Sequence, residues 1–311
     1  MVAVAGCGRE AAPPPPSTAG RTGPGSWTAR APIPTPRSEV GVAELGGKVH
    51  VLGGFGGLDG RTRAHEAYDP ASDTWSSRAQ LPRPLNHVGA ASIDGKLYMV
   101  GGFDTNNGDA VADTWVYDPA ADTWQRRAPM PTARGALGVA VVGGLLYAVG
   151  GAGPDGDVGA NEAYDPRTDT WTARAPMPTA RDHLGVAALD GKVHAVAGRF
   201  RSFARNSGVH EVYDPATDRW AAAPPLPTPR SGVAAAVLGG KLLVLGGEGS
   251  RGTFAENEGY DPATGAWEGY ASLPVPKHGI GAAVVGDALY VPSGGPTPGG
   301  SQTPDHRAFR L

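Results

Sequence analysis

Six tryptophans recur along the chain at an almost constant interval, and this repeat limits what the chain can fold into. A tyrosine stands seven residues before each of the last five of these tryptophans. A repeat of about 40 to 50 residues indicates an architecture built from one supersecondary unit per copy. The tryptophans are Trp27, Trp75, Trp124, Trp171, Trp220 and Trp267, spaced 48, 49, 47, 49 and 47 residues apart.

Two turn signals divide each copy into short strands. Asp-Pro follows each of these tyrosines, as in Asp69-Pro70, and favours a type I turn because Asp caps the turn and Pro pre-sets φ. A second turn, such as Gly46-Gly47, separates two apolar runs and suits a β-hairpin. The second run ends in a glycine pair such as Gly53-Gly54. We therefore predict an all-β chain in which six four-stranded antiparallel sheets are arranged radially.

The glycine pair, the tyrosine and the tryptophan at these spacings resemble the Kelch signature, and the resemblance covers residues 26–311. It implies a six-bladed Kelch β-propeller. The first copy is a lone strand around Trp27, whereas the last copy ends after Phe309 without a tryptophan. We therefore expect the N-terminal strand to complete the last blade. Pro292 lies in the second strand of that blade and lacks an amide donor, so we expect blade six to be irregular.

Residues 1–25 differ in composition from the repeats. Val4-Ala5-Gly6-Cys7 resembles the lipobox of bacterial lipoproteins, in which the cysteine is acylated, and a Pro-, Gly-, Ala- and Ser-rich stretch follows it. Such a stretch is typical of a tether. The resemblance implies an extracytoplasmic, membrane-anchored lipoprotein with a truncated signal peptide, because only six residues precede Cys7. A cytoplasmic protein is the alternative.

Charge and cysteine content narrow the classes of function. The formal net charge of −3 provides no basic surface for nucleic acid. Cys7 is the only cysteine, so the copper-radical oxidases of the Kelch type are excluded, since their cofactor needs a cysteine within the propeller. We expect the protein to have no cofactor and no metal. We expect it to be a monomer that associates with a membrane only through its lipid anchor.

Length varies in only one part of the repeat. Each tryptophan lies 27 residues before the second glycine of the next pair, so all variation falls between the glycine pair and the next aromatic residue. That interval holds the loop between the second and third strands. Variable loops on a rigid scaffold commonly carry binding functions. In Kelch proteins these loops, with those leading into the first strands, surround the ligand pocket at the central channel.

The resemblance implies that two positions in each blade face the pocket: those just after a recurring cation and those just after the glycine pair. Blade four departs most from the repeat, since three arginines alternate with two phenylalanines over residues 199–205. Arginine guanidinium groups, which can donate two parallel hydrogen bonds, and the faces of aromatic rings suit a sugar, an acidic glycan or a peptide. The binding candidates are Glu39, Phe55, Asn86, His87, Phe103, Asp182, His183, Arg199, Arg201, Glu248 and His278.

Charged residues that repeat in register are assigned to the scaffold instead. We expect each cation before the first strand to bind carbonyls or a carboxylate of its own repeat. We expect the glutamates that stand two residues before the tyrosines to make polar contacts between blades. The cations are Arg37, Arg134, Arg181, Arg230 and Lys277, and the glutamates are Glu66, Glu162, Glu211 and Glu258.

These observations favour a non-enzymatic binding module of the cell envelope that recognises a glycan or a protein partner on the variable-loop face. The alternative is a carbohydrate-processing enzyme that resembles the six-bladed Kelch mutarotases of sialic acid. Such an enzyme needs acid–base groups and an arginine for the carboxylate. Blade four would supply Asp182, His183 and Arg199.

Overall fold

The computed structural model describes residues 23–56, 62–104 and 108–311. Every regular element in these ranges is a β-strand, and none of the described residues forms a helix that could cross a lipid bilayer. Six four-stranded antiparallel sheets are present, and their first strands contact one another in a closed circle. The predicted six-bladed propeller is confirmed. The lipidation candidate Cys7 lies outside the described residues.

The strands of blades one to five run outwards from the axis in chain order, whereas the outermost strand of blade six comes from the N-terminal part of the chain. In blades one to three the strands are Gly41–Leu45, Lys48–Leu52, His65–Asp69 and Thr74–Ser77; Gly89–Ile93, Lys96–Val100, Thr114–Asp118 and Thr123–Arg127; Gly138–Val142, Leu145–Val149, Asn161–Asp165 and Thr170–Ala173. In blades four to six they are Gly185–Leu189, Lys192–Val196, His210–Asp214 and Arg219–Ala223; Ala234–Leu238, Lys241–Leu245, Asn257–Asp261 and Ala266–Gly269; Ala283–Val285, Ala288–Pro292, His306–Arg310 and Ser26–Ala29.

Additional two-residue strands lie at the pocket end of the blades. They pair Arg37–Ser38 with Phe55–Gly56, Leu85–Asn86 with Phe103–Asp104, Ala152–Gly153 with Gly156–Asp157, and Glu248–Gly249 with Gly252–Thr253.

The two ends of the chain share blade six, as predicted. Ser26–Ala29 pairs with His306–Arg310, and Trp27 stands opposite Phe309. The expected irregularity is also present, since the first strand of this blade has three residues where the others have five. Pro292 ends the second strand, and the pairing with the first strand stops two residues before it. The missing amide of proline accounts for this loss.

Apolar side chains fill the spaces between adjacent blades. Between blades one and two, for example, Leu52 packs with Leu97, Met99 and Tyr117. Each of the six repeat tryptophans also donates from its indole to a backbone carbonyl of the preceding blade, as Trp171 does to Ala128 at 2.9 Å. Similar contacts at all six interfaces make the propeller a single closed unit.

The recurring cations belong to the scaffold. The fully buried Arg134 donates to Glu162 at 2.5 Å and to the carbonyls of Thr132, Ala148 and Gly150. The prediction for the cations is therefore confirmed, but that for the glutamates is wrong, because the pair joins strands of one blade. The carboxylate lies beside its own blade's cation because that buried charge needs a counter-ion. The equivalent pairs are Arg37–Glu66, Arg181–Glu211, Arg230–Glu258 and Lys277–Asp305.

Candidate functional site

One residue from each blade forms a closed ring of backbone hydrogen bonds around the propeller axis. Each amide donates to the carbonyl of the equivalent residue in the preceding blade, over distances of 2.7 to 3.0 Å. All six have φ between 53° and 66°, a left-handed conformation that is uncommon for residues other than glycine. We call these residues the axial ring: Glu39, His87, Ala136, His183, Gly232 and Gly279.

The two sets of positions predicted to face the pocket pair with each other. In every blade the residue after the cation position forms a β-bridge with the residue after the glycine-pair position. The cation position holds Leu85 in blade two, and the glycine-pair position holds Ala197-Gly198 in blade four and Ser293-Gly294 in blade six. These bridges place the axial ring beside the variable loops. The pairs are Ser38–Phe55, Asn86–Phe103, Gly135–Ala152, Asp182–Arg199, Ser231–Glu248 and His278–Gly295.

A cavity of about 430 Å³ opens above the axial ring on the variable-loop face. Six of the sequence candidates line it, so the predicted face carries a pocket. The other residues that line it were not among the sequence candidates. Phe203 belongs to the unusual loop of blade four. The remaining residues belong to a glycine-rich loop of blade six, whose sequence has no feature that indicates a binding site. We call this cavity the axial pocket, lined by Glu39, Phe55, His87, His183, Arg199, Phe203, Glu248, Gly299, Gly300 and Gln302.

Four further candidates lie behind these residues. Asn86 Oδ1 lies 2.5 Å from His87 Nδ1, and Asp182 Oδ1 lies 2.5 Å from His183 Nδ1. The ring of Phe103 packs edge-on against His87, with 5.4 Å between the ring centres. His278 is fully buried beside Glu39 and Glu248.

Arg201 is the one candidate that the structure places away from the axial pocket. Its side chain is exposed and its guanidinium donates to the Asp155 carbonyl in the loop of blade three. Arg201 therefore joins neighbouring loops.

Glu39 is the central acidic group of the axial pocket. Its Oε2 lies 3.1 Å from His87 Nε2 and 4.0 Å from His183 Nε2, while Oε1 lies 3.3 Å from His278 Nδ1. Burial alone would raise the pKa of Glu39, but attraction to His87 and hydrogen bonds from His278 and His87 hold that pKa well below its usual range. Glu39 is therefore an ionised carboxylate.

The pKa values of His183 and His278 are shifted in opposite directions. Burial lowers the pKa of His183 despite its hydrogen bond to Asp182. Burial also opposes protonation of His278, but the hydrogen bond to Glu39 and the charges of Glu39 and Glu248 raise its pKa. The surroundings thus favour the neutral form of His183 and shift the pKa of His278 in the opposite direction.

Arg199 is already paired with carboxylates. Its Nη1 donates to Glu248 at 2.7 Å, its Nε to Asp182 at 3.0 Å and its Nη2 to His183 Nε2 at 2.9 Å. The guanidinium therefore offers no free fork to a ligand carboxylate in this state, contrary to the role that the mutarotase alternative gives it.

A further carboxyl group, Asp157, contacts Asp182 behind the pocket. Burial and the hydrogen bond to Asp182 raise the pKa of Asp157 to about 7. Asp157 therefore holds a proton against Asp182 over part of the neutral pH range.

Two other cavities have different surroundings. One of about 70 Å³ is lined by the axial ring and by the apolar residues that follow it, such as Val40 and Leu184. A larger groove of about 590 Å³ includes Trp220 and Tyr260, which repeat in other blades as framework residues. The axial pocket is the better candidate despite its smaller volume, since its lining residues break the repeat.

Comparisons with known proteins agree with this architecture. Residues 25–198 match the model of the KLHDC2/KLHL20/DRC7 Kelch-repeats domain, and residues 229–274 match the Kelch motif. No curated protein matches the chain. The solved structure of YjhT is similar, with a TM-score of 0.77 and 18% identity over 91% of this chain and 96% of that chain. Likeness at this identity concerns the fold alone.

Proposed function

Since this chain belongs to the Kelch-repeat family, whose propellers commonly serve as interaction modules, we propose that its axial pocket binds a sugar-sized polar ligand. The observation that carries the proposal is the pocket of about 430 Å³ in which Glu39, His87 and His183 converge beneath Phe55 and Phe203. A small number of convergent polar groups beside aromatic rings is typical of sites that bind small ligands.

The size and charge of the axial pocket favour one ligand class among those considered. A protein partner needs a contact surface of about 800 Å² per side, so a pocket of this volume would accept only a single protruding side chain. Arg199 is neutralised by Glu248 and Asp182, which disfavours acidic sugars. We therefore propose a neutral or amino sugar as the ligand.

Phe203 provides a direct test because 40% of its surface is exposed and its removal should leave the fold intact. We expect Phe203→Ala to weaken sugar binding about three- to tenfold, since an aromatic contact is worth about 0.5–1.5 kcal/mol. Titration calorimetry against a panel of neutral, amino and acidic mono- and disaccharides measures this. Arg201→Ala is the matched control from the same loop. Equal affinity of Phe203→Ala and wild type would contradict the proposal.

A sugar-processing enzyme is the second candidate, favoured by the 3.1 Å contact between Glu39 and His87. A carboxylate and an imidazole at this distance can transfer protons at an anomeric centre. Exchange of sugar anomers, followed by NMR, separates the two candidates. Accelerated exchange that is lost in Glu39→Gln supports catalysis, whereas binding without acceleration supports the binding module.

We also propose that the protein is attached to the cell envelope through Cys7, on the basis of the lipobox-like Val4-Ala5-Gly6-Cys7. Labelled palmitate should be incorporated into the wild-type protein in its native cell and absent from Cys7→Ser. Labelling of both proteins, or of neither, would contradict the lipid anchor.

A further inference from the structure

We propose that Glu39, His87 and His183 of the axial ring bind a divalent transition-metal ion at the base of the axial pocket. One ligand atom from each residue is available, and these atoms lie within 4.8 Å of one another. Imidazole and carboxylate ligands bind zinc and similar ions at about 2.0–2.2 Å. Two ligand atoms of one ion then lie at most about 4.4 Å apart. The distances from Glu39 Oε2 meet this limit, at 3.1 Å to His87 Nε2 and 4.0 Å to His183 Nε2.

Both histidines are oriented as metal ligands by a second residue. His87 Nδ1 faces Asn86 Oδ1 and His183 Nδ1 faces Asp182 Oδ1, each at 2.5 Å. Each of these oxygens can accept a hydrogen bond from Nδ1–H, which leaves Nε2 facing Glu39. A bound metal ion would displace the proton that His87 Nε2 donates to Glu39. A carboxylate or amide oxygen behind the imidazole is the usual support of a metal-binding histidine.

The tautomer of His183 is supported by a second contact. Its Nε2 lies 2.9 Å from Arg199 Nη2, and a guanidinium can only donate. His183 Nε2 is therefore an acceptor and carries no proton. One carboxylate oxygen and two ring nitrogens thus approach one point from three blades, in a geometry that could hold a cation.

The surroundings hold Glu39 in place for this role. His278 Nε2 lies 3.0 Å from the Thr297 carbonyl, and its Nδ1 approaches Glu39 Oε1 at 3.3 Å. Glu39 thus uses Oε1 for His278 and directs Oε2 towards His87 and His183.

Metal binding would also change the role of Arg199. Its Nη2 must leave His183 Nε2 when that nitrogen becomes a ligand, while Nη1 and Nε can remain with Glu248 and Asp182. Three protein ligands leave coordination positions open. The loaded pocket would then present an open metal position beside a freed guanidinium N–H, which suits a ligand with adjacent oxygen atoms. This extension rests on the proposed function, but the metal site itself does not.

Zn²⁺ and Co²⁺ serve as probes. Titration calorimetry on full-length protein freed of metal with EDTA should show one site, and saturating Zn²⁺ should raise the thermal unfolding temperature. We expect His87→Asn, His183→Asn and Glu39→Gln each to weaken binding at least about 100-fold, since even supporting residues are worth about 10- to 100-fold. His65→Asn, at a buried histidine in blade one, is the matched control and should bind as wild type does.

Absence of binding at one equivalent of Zn²⁺ or Co²⁺, or unchanged affinity in a double variant of His87 and His183, would overturn the metal site. Circular dichroism identifies variants that fail to fold, and Asn86→Ala then provides a milder change with an expected loss of about 10- to 100-fold. Sugar binding measured with and without EDTA separates the proposals. If the protein binds sugar but no metal, the metal site is rejected and the proposed function is not.

Discussion

Acidification from pH 7 to pH 4 is expected to destabilise the propeller strongly through five buried histidines of blades one, four and six. Burial is the largest cause that lowers the pKa of each. The values are about 4 for His50, about 3 for His65, about 4 for His194, about 4 for His210 and about 4 for His306.

The direction of these pKa shifts determines that stability falls as the pH falls. A lowered pKa means that the folded protein holds the neutral imidazole, whereas the unfolded chain takes up a proton near pH 6.5. The stabilisation is complete above pH 6.5 and is lost as the pH falls through the folded values. Each shift to about 4 corresponds to about 3 kcal/mol.

The repeat provides natural replacements for these histidines. Asn161 and Asn257 occupy the positions equivalent to His65, and each donates to a carbonyl of the connection that follows its outer strand, at 3.2 Å. His65 faces the corresponding Ala79 carbonyl at 3.3 Å. Asparagine can therefore keep this hydrogen bond without titrating.

Urea unfolding between pH 7 and pH 4.5 tests the prediction, with the slope of unfolding free energy against pH as the readout. Substituting Asn for His65, His210 and His306 should reduce this slope. The reverse change, Asn161→His, should increase it by up to about 1.4 kcal/mol per pH unit. Equal slopes in all three proteins would show that the buried histidines do not govern acid stability.

Removal of the buried carboxylate of blade three is expected to have the second large effect. Glu162→Ala should cost about 3–5 kcal/mol, because it leaves the guanidinium of Arg134 buried without its counter-ion. That is a large part of the total stability of a typical domain, about 5–15 kcal/mol. Arg134 has no exposed surface and cannot recover hydration without unfolding part of the blade.

Chemical denaturation followed by circular dichroism measures this cost. Glu162→Gln, which keeps an acceptor oxygen, should lose less than Glu162→Ala. Arg167→Ala is the control, since Arg167 is 75% exposed and such surface pairs are worth about 0–1 kcal/mol. A similar small loss in Glu162→Ala and Arg167→Ala would refute the scaffold role of the pair.

The repeat predicted the blade number, the shared sixth blade and the side on which the pocket lies, because tryptophan, tyrosine and glycine positions follow directly from strand geometry. The convergence of Glu39, His87 and His183 was not predicted. It depends on left-handed backbone at three residues that are not glycine, and nothing in their local sequence requires that conformation.

The pairing of Arg199 with Glu248 was also missed, although the sequence contains a signal for it. Glu248 follows the glycine pair Gly246-Gly247 and Arg199 follows the equivalent Ala197-Gly198, and they stand 49 positions apart, which is one repeat. Equivalent positions in consecutive blades are neighbours around the axis, so opposite charges there predict an ion pair. Phe203 and the Gly299–Gln302 segment could not be placed, because loop conformation does not follow from the repeat.

The axial ring joins six equivalent backbones that carry unequal side chains, so the cyclic order of the repeats matters. Ala136 is the small residue between His87 and His183, whose ring centres lie 4.7 Å apart. A Cβ atom at Gly279 would lie 2.6 Å from Glu39 Oε1. Exchanging two whole repeats would keep the repeated strand framework, yet it would separate these neighbours. Blade order therefore determines which side chains meet in the axial pocket, independently of the fold.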